Sequence, residues 1–592
     1  MNKTELAGKI KLLEGLTEDE KSALLGLLHE QKKYGLVWED KPEDVEQKLE
    51  DELPVLKEVK ERAIISDDPS APNHILIEGD NLHALTALTY THQGKIDVIY
   101  IDPPYNTGNK DFIYNDSFVD KEDGYRHSKW LSFMSKRLEI SKQLLSEKGV
   151  IFISIDDNEQ AQLKLLCDQV FGENNFLSDI IWQHSIQPKG YLGSFSVHHN
   201  YTLAYKKTEN FILGNLERTE EDNKAYKNPD KDPRGKWRSG DVRNALYRPN
   251  LMYDIITPSG NTIHAPEKGW RWSQETISEK IKTGEIIFNS DETNIIRKIY
   301  LETVDGRCPE TIWFGKDVGT TREANSELKE IFDSKAPFDT PKPTRLVKRI
   351  ITLANSQNAI ILDFFAGSGT TLHSTMKLND EDGGRRQCIL VTNNENNICE
   401  KVTYLRNKKV IQGYTTPRGE DVEGLKNNTL RYYRTDFVPR EQTNKNKRAL
   451  MAAATDLLCI KNDVYTEQNT FGGRKLKPNA ARYFDNGKTQ MLLIYNELAV
   501  EAFASMLKEM EVEGKIKIYV FSNNRYAYND NFENVLDKVE LCALPAAIYD
   551  AYKKVLKPQK VKENVSQESI SEEYVFEKTQ GEIDFSEEGG EQ

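Results

Sequence analysis

Short apolar runs, each followed by an acidic residue and a turn, recur between residues 74 and 157. The runs at 74–81, 95–105 and 149–157 are rich in Ile and Val, which is typical of strands buried on both faces of a parallel sheet. Between the last two runs, apolar residues recur every three to four positions from Trp130 to Leu145, which predicts an amphipathic helix. Strand, helix and strand in this order predict a right-handed crossover within one sheet.

This alternation stops at about residue 184 and resumes after residue 307. The segment between them consists of short mixed stretches broken by Pro, Gly, Trp and Tyr, so we predict an irregular insertion. Beyond it, the pattern predicts a helix near 343–354, a strand near 358–365, a helix from about Thr370 and a strand at 387–393. The insertion therefore divides one α/β domain into two halves.

The ends of the chain differ from this α/β pattern. Thr17 and Glu20 form a capping-box pattern before a Leu-rich stretch, which predicts helix near the N-terminus. The predicted domains are a helical N-terminal arm (1–65), the first half of the α/β domain (66–183), the insertion (184–307), the second half (308–439), a small α/β assembly domain (440–560) and an acidic disordered tail (561–592).

The net charge of −14 over 592 residues at first argues against a nucleic-acid partner. The excess is local, because residues 563–592 carry ten acids against one Lys and residues 39–62 carry ten acids against five bases. The remaining chain is near neutral, and residues 224–248 carry eight bases against three acids. The insertion can therefore hold a basic surface suited to nucleic acid.

The cysteines and the hydropathy pattern indicate the compartment. The six cysteines include no CxxC pair and no metal-ligand spacing, so we interpret them as reduced core residues and expect no structural metal. The N-terminal residues lack a continuous apolar core for export, and no window approaches the length of a membrane span. We expect a soluble, cytoplasmic protein.

The first candidate site is the turn Asp102-Pro103-Pro104-Tyr105, directly after a predicted buried strand. Ligands of open α/β sheets bind outside the carboxyl ends of the strands, so this turn is well placed for chemistry. The prolines stiffen a backbone whose carbonyls, with the carboxylate, could accept from an amino group, and the tyrosine offers a face for a planar base. A purely structural Pro-Pro corner is the alternative.

The second candidate site is the glycine-rich turn at 363–371, DFFAGSGTT, between a predicted strand and a helix. Glycines allow a ligand close to the backbone at a helix N-terminus. A dinucleotide fingerprint fails because its third glycine falls at Leu372, and a P-loop fails because GSGTT lacks the following Lys. NGKT at 486–489 also fails, with Arg482 in place of the first loop glycine. A cofactor without a pyrophosphate remains.

Four motifs together resemble the beta-class amino-methyltransferases, which use S-adenosylmethionine. They are GDN (79–81), DPPYNTG (102–108), FDTPKP (338–343) and DFFAGSGTT (363–371). The chain is most similar to the modification subunit of type III restriction-modification systems. The resemblance implies a Rossmann-like sheet in which the catalytic motif precedes the cofactor motif, a permuted order, with a target-recognition domain inserted between a catalytic half and a cofactor half.

The resemblance also implies a reaction and its residues. Asp102 and the carbonyl of Pro103 would accept the hydrogens of an adenine exocyclic amine, and Tyr105 would stack on the flipped base beside Pro104. DPPY, rather than a version that begins with Ser, is similar to the adenine type. No metal is implied. The implied cofactor residues are Asp80, Asn81, Lys342, Pro343, Asp363, Phe364, Gly367, Gly369, Thr370 and Glu395. Asp363 would hold the cofactor's amino group or a water bound to it, and both turns must open into one cleft.

The implied partners are double-stranded DNA, a second copy of the chain in a homodimer, and a restriction subunit with helicase and nuclease activity. Basic and aromatic side chains of the insertion would contact DNA, although for any single base a solvated charged loop is the alternative. The candidates are Lys231, Arg234, Lys236, Trp237, Arg238, Arg243 and Arg248. Two other hypotheses remain open at this point: a stand-alone regulatory adenine methyltransferase, and a catalytically silent DNA-binding specificity subunit.

Overall fold

The computed structural model describes residue 36 and residues 38–109, 111–115, 117–188, 195–333, 335–523 and 525–556. The predicted helix after Thr17 and the predicted acidic tail lie outside these residues. The chain divides into two compact units, the insertion Leu213–Glu310 and the remainder of the described chain. Within the described residues, no helix is long and apolar enough to cross a membrane.

A ten-stranded mixed sheet forms the centre of the larger unit. Its strands are β1 (Glu52–Glu58), β2 (Asn73–Glu78), β3 (Ile96–Ile101), β4 (Leu145–Ile155), β5 (Phe176–Gln183), β6 (His199–Lys206), β7 (Ile312–Trp313), β8 (Ile360–Asp363), β9 (Gln387–Thr392) and β10 (Thr429–Pro439). They lie in the order β1-β10-β2-β9-β8-β3-β4-β6-β5-β7. The six strands from β10 to β4 are mutually parallel, so their carboxyl ends meet at one edge.

Helices connect and cover these strands. They are α1 (Asp44–Asp51), α2 (Asn81–His92), α3 (Arg126–Leu144), α4 (Gln160–Phe171), α5 (Thr321–Ile331), α6 (Thr344–Thr352), α7 (Thr370–Asp382) and α8 (Leu405–Gln412), the last preceded by a π-helix at Cys399–Tyr404. Helix α3 buries the predicted stripe of Trp130, Met134 and Leu138. Nearly every residue of α2 is buried because α2 packs on α3, β1 and elements of the C-terminal region. The α/β class predicted from the pattern is confirmed.

Two predicted boundaries are wrong. Residues Glu52–Glu58 are not part of a helical arm but form edge strand β1, which pairs antiparallel with β10 because Leu53, Val55 and Leu56 are buried in the core. The first half of the α/β domain also does not end at residue 183. The mixed segment His199–Lys206 buries its centre as β6, between β4 and β5, and the separate insertion begins at Leu213.

The residues after 440 form a second sheet rather than a separate domain. Its strands are β11 (Glu467–Gln468), β12 (Ala481–Asp485), β13 (Gln490–Ile494), β14 (Ile516–Phe521) and β15 (Val539–Leu544), with helices α9 (Asn444–Asn462), α10 (Val500–Glu509) and α11 (Ala546–Tyr552). Leu450 and Ile548 share one apolar core with Leu53 of β1. The Tyr552 hydroxyl donates to the Pro54 carbonyl (2.6 Å). Residues 440–560, predicted as a small α/β assembly domain, are therefore packed onto the ten-stranded sheet.

The insertion has its own small core. A three-stranded antiparallel sheet joins Ile286–Phe288, Ile295–Tyr300 and Trp237–Gly240. Trp270 and the helix Gln274–Lys282 cover an apolar cluster beside it.

Candidate active site

The two candidate turns open into one cavity of about 1160 Å³. Strand β3 pairs directly and in parallel with β8, with Val98 opposite Ile361 and Ile99 opposite Leu362. Both strands therefore release their next residues at the same edge of the sheet. Asp102 from one turn and Gly367 from the other line the cavity, which confirms that the turns share a cleft.

In the first turn, Asp102 is held by two donors. The Lys342 ammonium makes an ion pair with Oδ2, and the Tyr105 hydroxyl donates to Oδ1 (2.9 Å). The Lys342 nitrogen lies 5.3 Å from the centroid of the Tyr105 ring. The Trp130 indole donates to the carbonyl of Pro104 (2.7 Å) and fixes the turn from below. The carboxylate is therefore oriented and charge-balanced, and all four residues of the DPPY turn line the cavity.

A buried carboxyl group supports the same turn. Asn106 follows Tyr105 in a left-handed conformation (φ 56°), and its amide donates to Glu159 Oε1 (2.5 Å) and to the Arg126 carbonyl (3.2 Å). His127 Nδ1 contacts the same Glu159 oxygen (2.7 Å). The side chain of Glu159 is fully buried, and this burial raises the pKa of its carboxyl to about 8.

Because the pKa of Glu159 is raised on folding, its contribution to stability is present below the ordinary carboxyl pKa and is lost as the pH rises through about 8. In thermal unfolding, Glu159→Gln should match the wild type near about pH 5 and exceed its Tm by about 2–4 °C at about pH 9. Glu147→Gln, which replaces an exposed carboxylate, should leave the curve unchanged. If the curves of Tm against pH for the wild type and Glu159→Gln run parallel, the pKa of Glu159 is not raised on folding.

The second turn brings backbone to the cavity surface. Gly367 (φ 48°) and Gly369 (φ 74°) both adopt left-handed conformations, which favour glycine. A Cβ on Gly369 would clash with Asn407 Nδ2, whereas a Cβ on Gly367 would face the Phe338 ring at 3.3 Å. The turn is therefore closely packed on the Gly369 side, and the Gly367 side borders the cavity beside Phe338.

A buried arginine fixes this turn from behind. Arg406 Nη1 donates to the Thr370 hydroxyl (2.7 Å) and the Ser368 hydroxyl (3.2 Å), and Nη2 lies 3.3 Å from a carboxylate oxygen of Glu327. The Thr403 hydroxyl donates to the Gly367 carbonyl (2.6 Å).

Asp363 is hydrogen-bonded within the glycine-rich turn. Its carboxyl oxygens accept from the Phe365 backbone N–H (3.0 Å) and the Thr371 hydroxyl (2.5 Å), and the residue is only 3% exposed. Burial raises the pKa of Asp363 to about 7, and the nearby charge of Asp102 contributes to the rise. Each carboxyl oxygen of Asp363 thus accepts one hydrogen bond within the turn, and its role toward the cofactor's amino group or a water bound to it stays a prediction.

Arg137 links three other side chains of the cavity wall, which belong to Glu43, Asp80 and Asn81. Its guanidinium, fully buried on α3, donates to Asn81 Oδ1 (2.6 Å) and to Glu43 Oε1 (2.9 Å), and it lies 3.7 Å from Asp80 Oδ2. The Asn81 amide in turn donates to the Phe364 carbonyl of the glycine-rich turn (3.0 Å). The Nη2 atom of Arg137 is buried without a hydrogen-bond partner. One buried cation thus orients both Asp80 and Asn81 at the cavity wall.

The predicted cofactor residues divide into two groups. Those in the cavity wall are Asp80, Asn81, Lys342, Phe364, Gly367 and Glu395. Those that support the wall from behind are Pro343, Asp363, Gly369 and Thr370: the Thr370 hydroxyl is taken by Arg406, and Pro343 packs beside Gly319. Asp80 also caps α2 by accepting from Leu82 N–H (2.8 Å). Sequence reasoning missed Glu43, Phe338 and the two buried arginines.

The predicted DNA contacts lie in the separate insertion unit, where several already have intramolecular partners. Arg234 donates to Asp232 and to the carbonyls of Thr283 and Gly284. The Trp237 indole donates to Asp230 (2.8 Å), and Arg243 is paired with Asp241 (2.9 Å). The Arg238 guanidinium donates to the Tyr226 hydroxyl (3.1 Å). The remaining candidates are exposed: Lys231, Lys236 and Arg248.

Comparison with known families gives an independent result. A DNA methylase family model matches residues 96–404, more than half of the chain. The Mod subunit of the type III restriction-modification enzyme StyLTI from Salmonella typhimurium is 36% identical over 363 residues, which cover 56% of this chain and 55% of that protein. The type II methyltransferase M.KpnI from Klebsiella pneumoniae is 35% identical over 57% of this chain and 85% of that protein.

The match to the type III relatives is partial in length. The chain spans little more than half of the Salmonella protein and 58% of the EcoP15I Mod subunit of Escherichia coli, to which it is 31% identical. Among solved structures, the cytosine-N4-specific PvuII DNA methyltransferase aligns over 57% of this chain and 94% of its own, with 12% identity and a TM-score of 0.30.

Proposed function

We propose that this chain, which belongs to the DNA methylase family, transfers a methyl group from S-adenosylmethionine to the exocyclic N6 amine of adenine in DNA. The observation that supports the proposal is the shared cavity, because the Asp102 carboxylate and the Gly367 turn both line it. Bound at the glycine-rich turn, S-adenosylmethionine would supply an electrophilic methyl group to a nucleophile held by the DPPY turn.

The residues present fit that cofactor. The left-handed backbone at Gly367 permits close approach of a ligand. Arg137 orients Asn81 and pairs with Asp80 at the cavity wall, and Asp80 and Glu395 offer carboxylates for amino and hydroxyl groups. Phe338 gives an apolar surface beside the turn. These side chains would hold the cofactor without any metal ligand.

The DPPY turn would prepare the amine. An adenine amine is a weak nucleophile because its lone pair is delocalised into the ring. Acceptance of its N–H hydrogens by Asp102 and the Pro103 carbonyl favours a pyramidal nitrogen, whose lone pair then points at the methyl carbon. S-adenosylmethionine held at the glycine-rich turn would supply the methyl carbon and keep the electron pair of the broken carbon–sulfur bond on its sulfur, while Asp102 would accept the proton that the methylated nitrogen loses.

The target base must leave the duplex to reach this position, because the N6 atom is inside the stack. The cavity lining includes aromatic side chains, among them Tyr105, Phe133 and Phe365, on which a flipped purine could stack. An incoming amine would replace the Tyr105 hydroxyl or the Lys342 ammonium as donor to Asp102. Ligand binding should therefore move these two side chains.

We further propose that the chain is the modification and specificity subunit of a type III restriction-modification system. The support is the sequence identity of 31–36% between this chain and three Mod subunits of type III restriction-modification enzymes. In that role it would form a homodimer, read a short asymmetric site through the insertion and associate with a restriction subunit that supplies ATP-driven translocation and cleavage.

The test is to expose unmethylated DNA to the purified protein and labelled S-adenosylmethionine, and then to map modified bases by long-read sequencing. We expect N6-methyladenine on one strand of one short site. Modified cytosine would contradict the adenine assignment, and absence of any label would contradict the reaction. Co-purification of a large ATPase with the protein from its source would support the type III role, whereas isolation alone would favour a stand-alone methyltransferase.

A further inference from the structure

The insertion carries an exposed loop that the predicted phosphate contacts do not explain. Residues 244–251 leave the unit and return to almost the same point, because Asn244 N–H donates to the Gly269 carbonyl (2.9 Å) and Trp270 N–H donates to the Leu251 carbonyl (2.9 Å). The loop is thus closed at its base by two consecutive residues. We refer to it as the 244–251 loop.

The base of the loop is firmly packed. Val242, Leu251 and Trp270 are buried, and the Trp270 indole donates to the Tyr253 carbonyl (2.7 Å). Gly269 (φ 83°) lies so close that a Cβ there would meet the Leu251 carbonyl oxygen at 2.8 Å. The base therefore holds the tip in a defined position, which reduces the entropy lost when the tip binds a partner.

The tip of the loop, in contrast, exposes an apolar and an aromatic side chain to solvent. Leu246 is 69% exposed and Tyr247 is 62% exposed. They stand next to Arg248, whose side chain forms no hydrogen bond or ion pair with the described residues. Adjacent exposed apolar side chains on an ordered loop mark an interaction site more often than a neutral surface.

Cations flank the loop. Arg243 precedes it, and Arg271 is hydrogen-bonded through its backbone to Val242 (2.8 Å) at the base. Arg271 and Arg297 both lie close to the Trp272 ring, at 5.4 and 5.2 Å from its centroid. Arginines near the base of the loop, together with Arg248 beside Leu246 and Tyr247 at its tip, suit a polyanion whose bases can contact apolar side chains.

We propose that the 244–251 loop is a base-contacting element for duplex DNA, in which Leu246 and Tyr247 pack against bases and Arg248 binds a phosphate or a guanine edge. This inference rests on the proposed function, which makes DNA the substrate. It gives the loop a role in selecting the DNA site, and the exposed lysines of the insertion cannot have that role. Lysines that bind phosphates affect all sequences alike, whereas contacts to bases affect some sequences only.

The test compares the double variant Leu246→Ser, Tyr247→Ser with a control in the same unit, Ile256→Ser, which replaces a similarly exposed side chain outside the loop. Each full-length protein is given unmethylated plasmid DNA, and methylation of the wild-type site is measured. The loop variant should lose about 10-fold or more in kcat/KM, with unchanged Tm and unchanged affinity for S-adenosylmethionine. Tyr247→Trp, which retains an aromatic face, should keep most of the activity.

A second measurement separates this inference from the proposed function. Binding of a fluorescent pool of random-sequence duplexes, measured by anisotropy, does not require methyl transfer. If the wild type transfers no methyl group, the proposed function fails. The loop is then still supported if sequencing of the bound duplexes shows that the wild type enriches a common sequence and Leu246→Ser, Tyr247→Ser does not. If the loop variant equals Ile256→Ser in both duplex affinity and site methylation, the loop is not a DNA contact and its apolar tip serves another partner.

Discussion

Replacement of Asp102 with Asn should lower the single-turnover rate of methyl transfer roughly 10³-fold, within the range found when one preorganised polar group is removed from an active site. The amide keeps the volume of the side chain but can no longer accept from two donors at both oxygens. Its N–H₂ group would face Lys342 or the Tyr105 hydroxyl, which both donate to the native carboxylate. Rapid-quench measurement with labelled S-adenosylmethionine gives the rate, and affinity for DNA should change by less than about threefold.

Tyr105→Phe is the matched control for this experiment. It removes one hydrogen bond to the same carboxylate but preserves the charge of Asp102 and the aromatic face. We expect a loss of about 10-fold, consistent with one hydrogen bond to a charged group. If Asp102→Asn retains more than a tenth of the wild-type rate, Asp102 is not the acceptor of the amine hydrogens, and the Pro103 carbonyl must act without it.

The meeting of the two turns could be predicted from the sequence because it depends on a general property of parallel sheets. Asp102 and Asp363 each lie at the end of a run of buried β-branched residues, and parallel strands of this kind deliver their next residues to the same edge of the sheet. The pairing of β3 directly with β8 could not be read from the pattern, since strand order depends on which faces the connecting helices cover. The shared cavity follows from that order.

The supporting cations were harder to predict, although Arg137 left a signal. It lies three residues after Met134 and four before Ser141, and both of these belong to the predicted apolar face of α3. A charge within a buried stripe needs a partner, but its partners Glu43 and Asn81 lie far away in the chain. Arg406 lies four residues after Val402 and four before Val410, both buried, so the pattern marks its position as an inner one. Its partners Thr370 and Glu327 lie far away in the chain, and its role in supporting the turn was therefore not accessible from periodicity.

The errors at β1 and β6 have one cause. Both segments have polar residues at their ends and a short apolar centre, such as LPVL within 52–58 and TLAY within 199–206. The polar ends suggested helix or loop, but burial of only three or four central residues is enough to hold a strand that pairs with neighbours along its whole length. Tertiary pairing here overrides local composition.

The second large effect is expected at Arg137. Arg137→Met should destabilise the protein by about 3–5 kcal/mol, because it leaves the buried Glu43 carboxylate without its main partner. It should also weaken S-adenosylmethionine binding, since Asp80 and Asn81 lose the group that orients them. Thermal unfolding and calorimetric titration would measure the two effects on the same preparation.

The pH dependence and a double variant identify the cause. Burial already raises the pKa of Glu43 against the opposing charge of Arg137, so removal of that charge should raise the pKa further and make the loss of stability larger at about pH 8 than at about pH 5.5. Glu43→Gln combined with Arg137→Met should recover most of the stability but not the cofactor affinity. Lys136 pairs mainly with Glu46 and lies 3.9 Å from Glu43 Oε1, farther than Arg137 does, so Lys136→Met should cost only about 1 kcal/mol. An equal cost for Lys136→Met and Arg137→Met would contradict the role of Arg137 as the buried counter-charge.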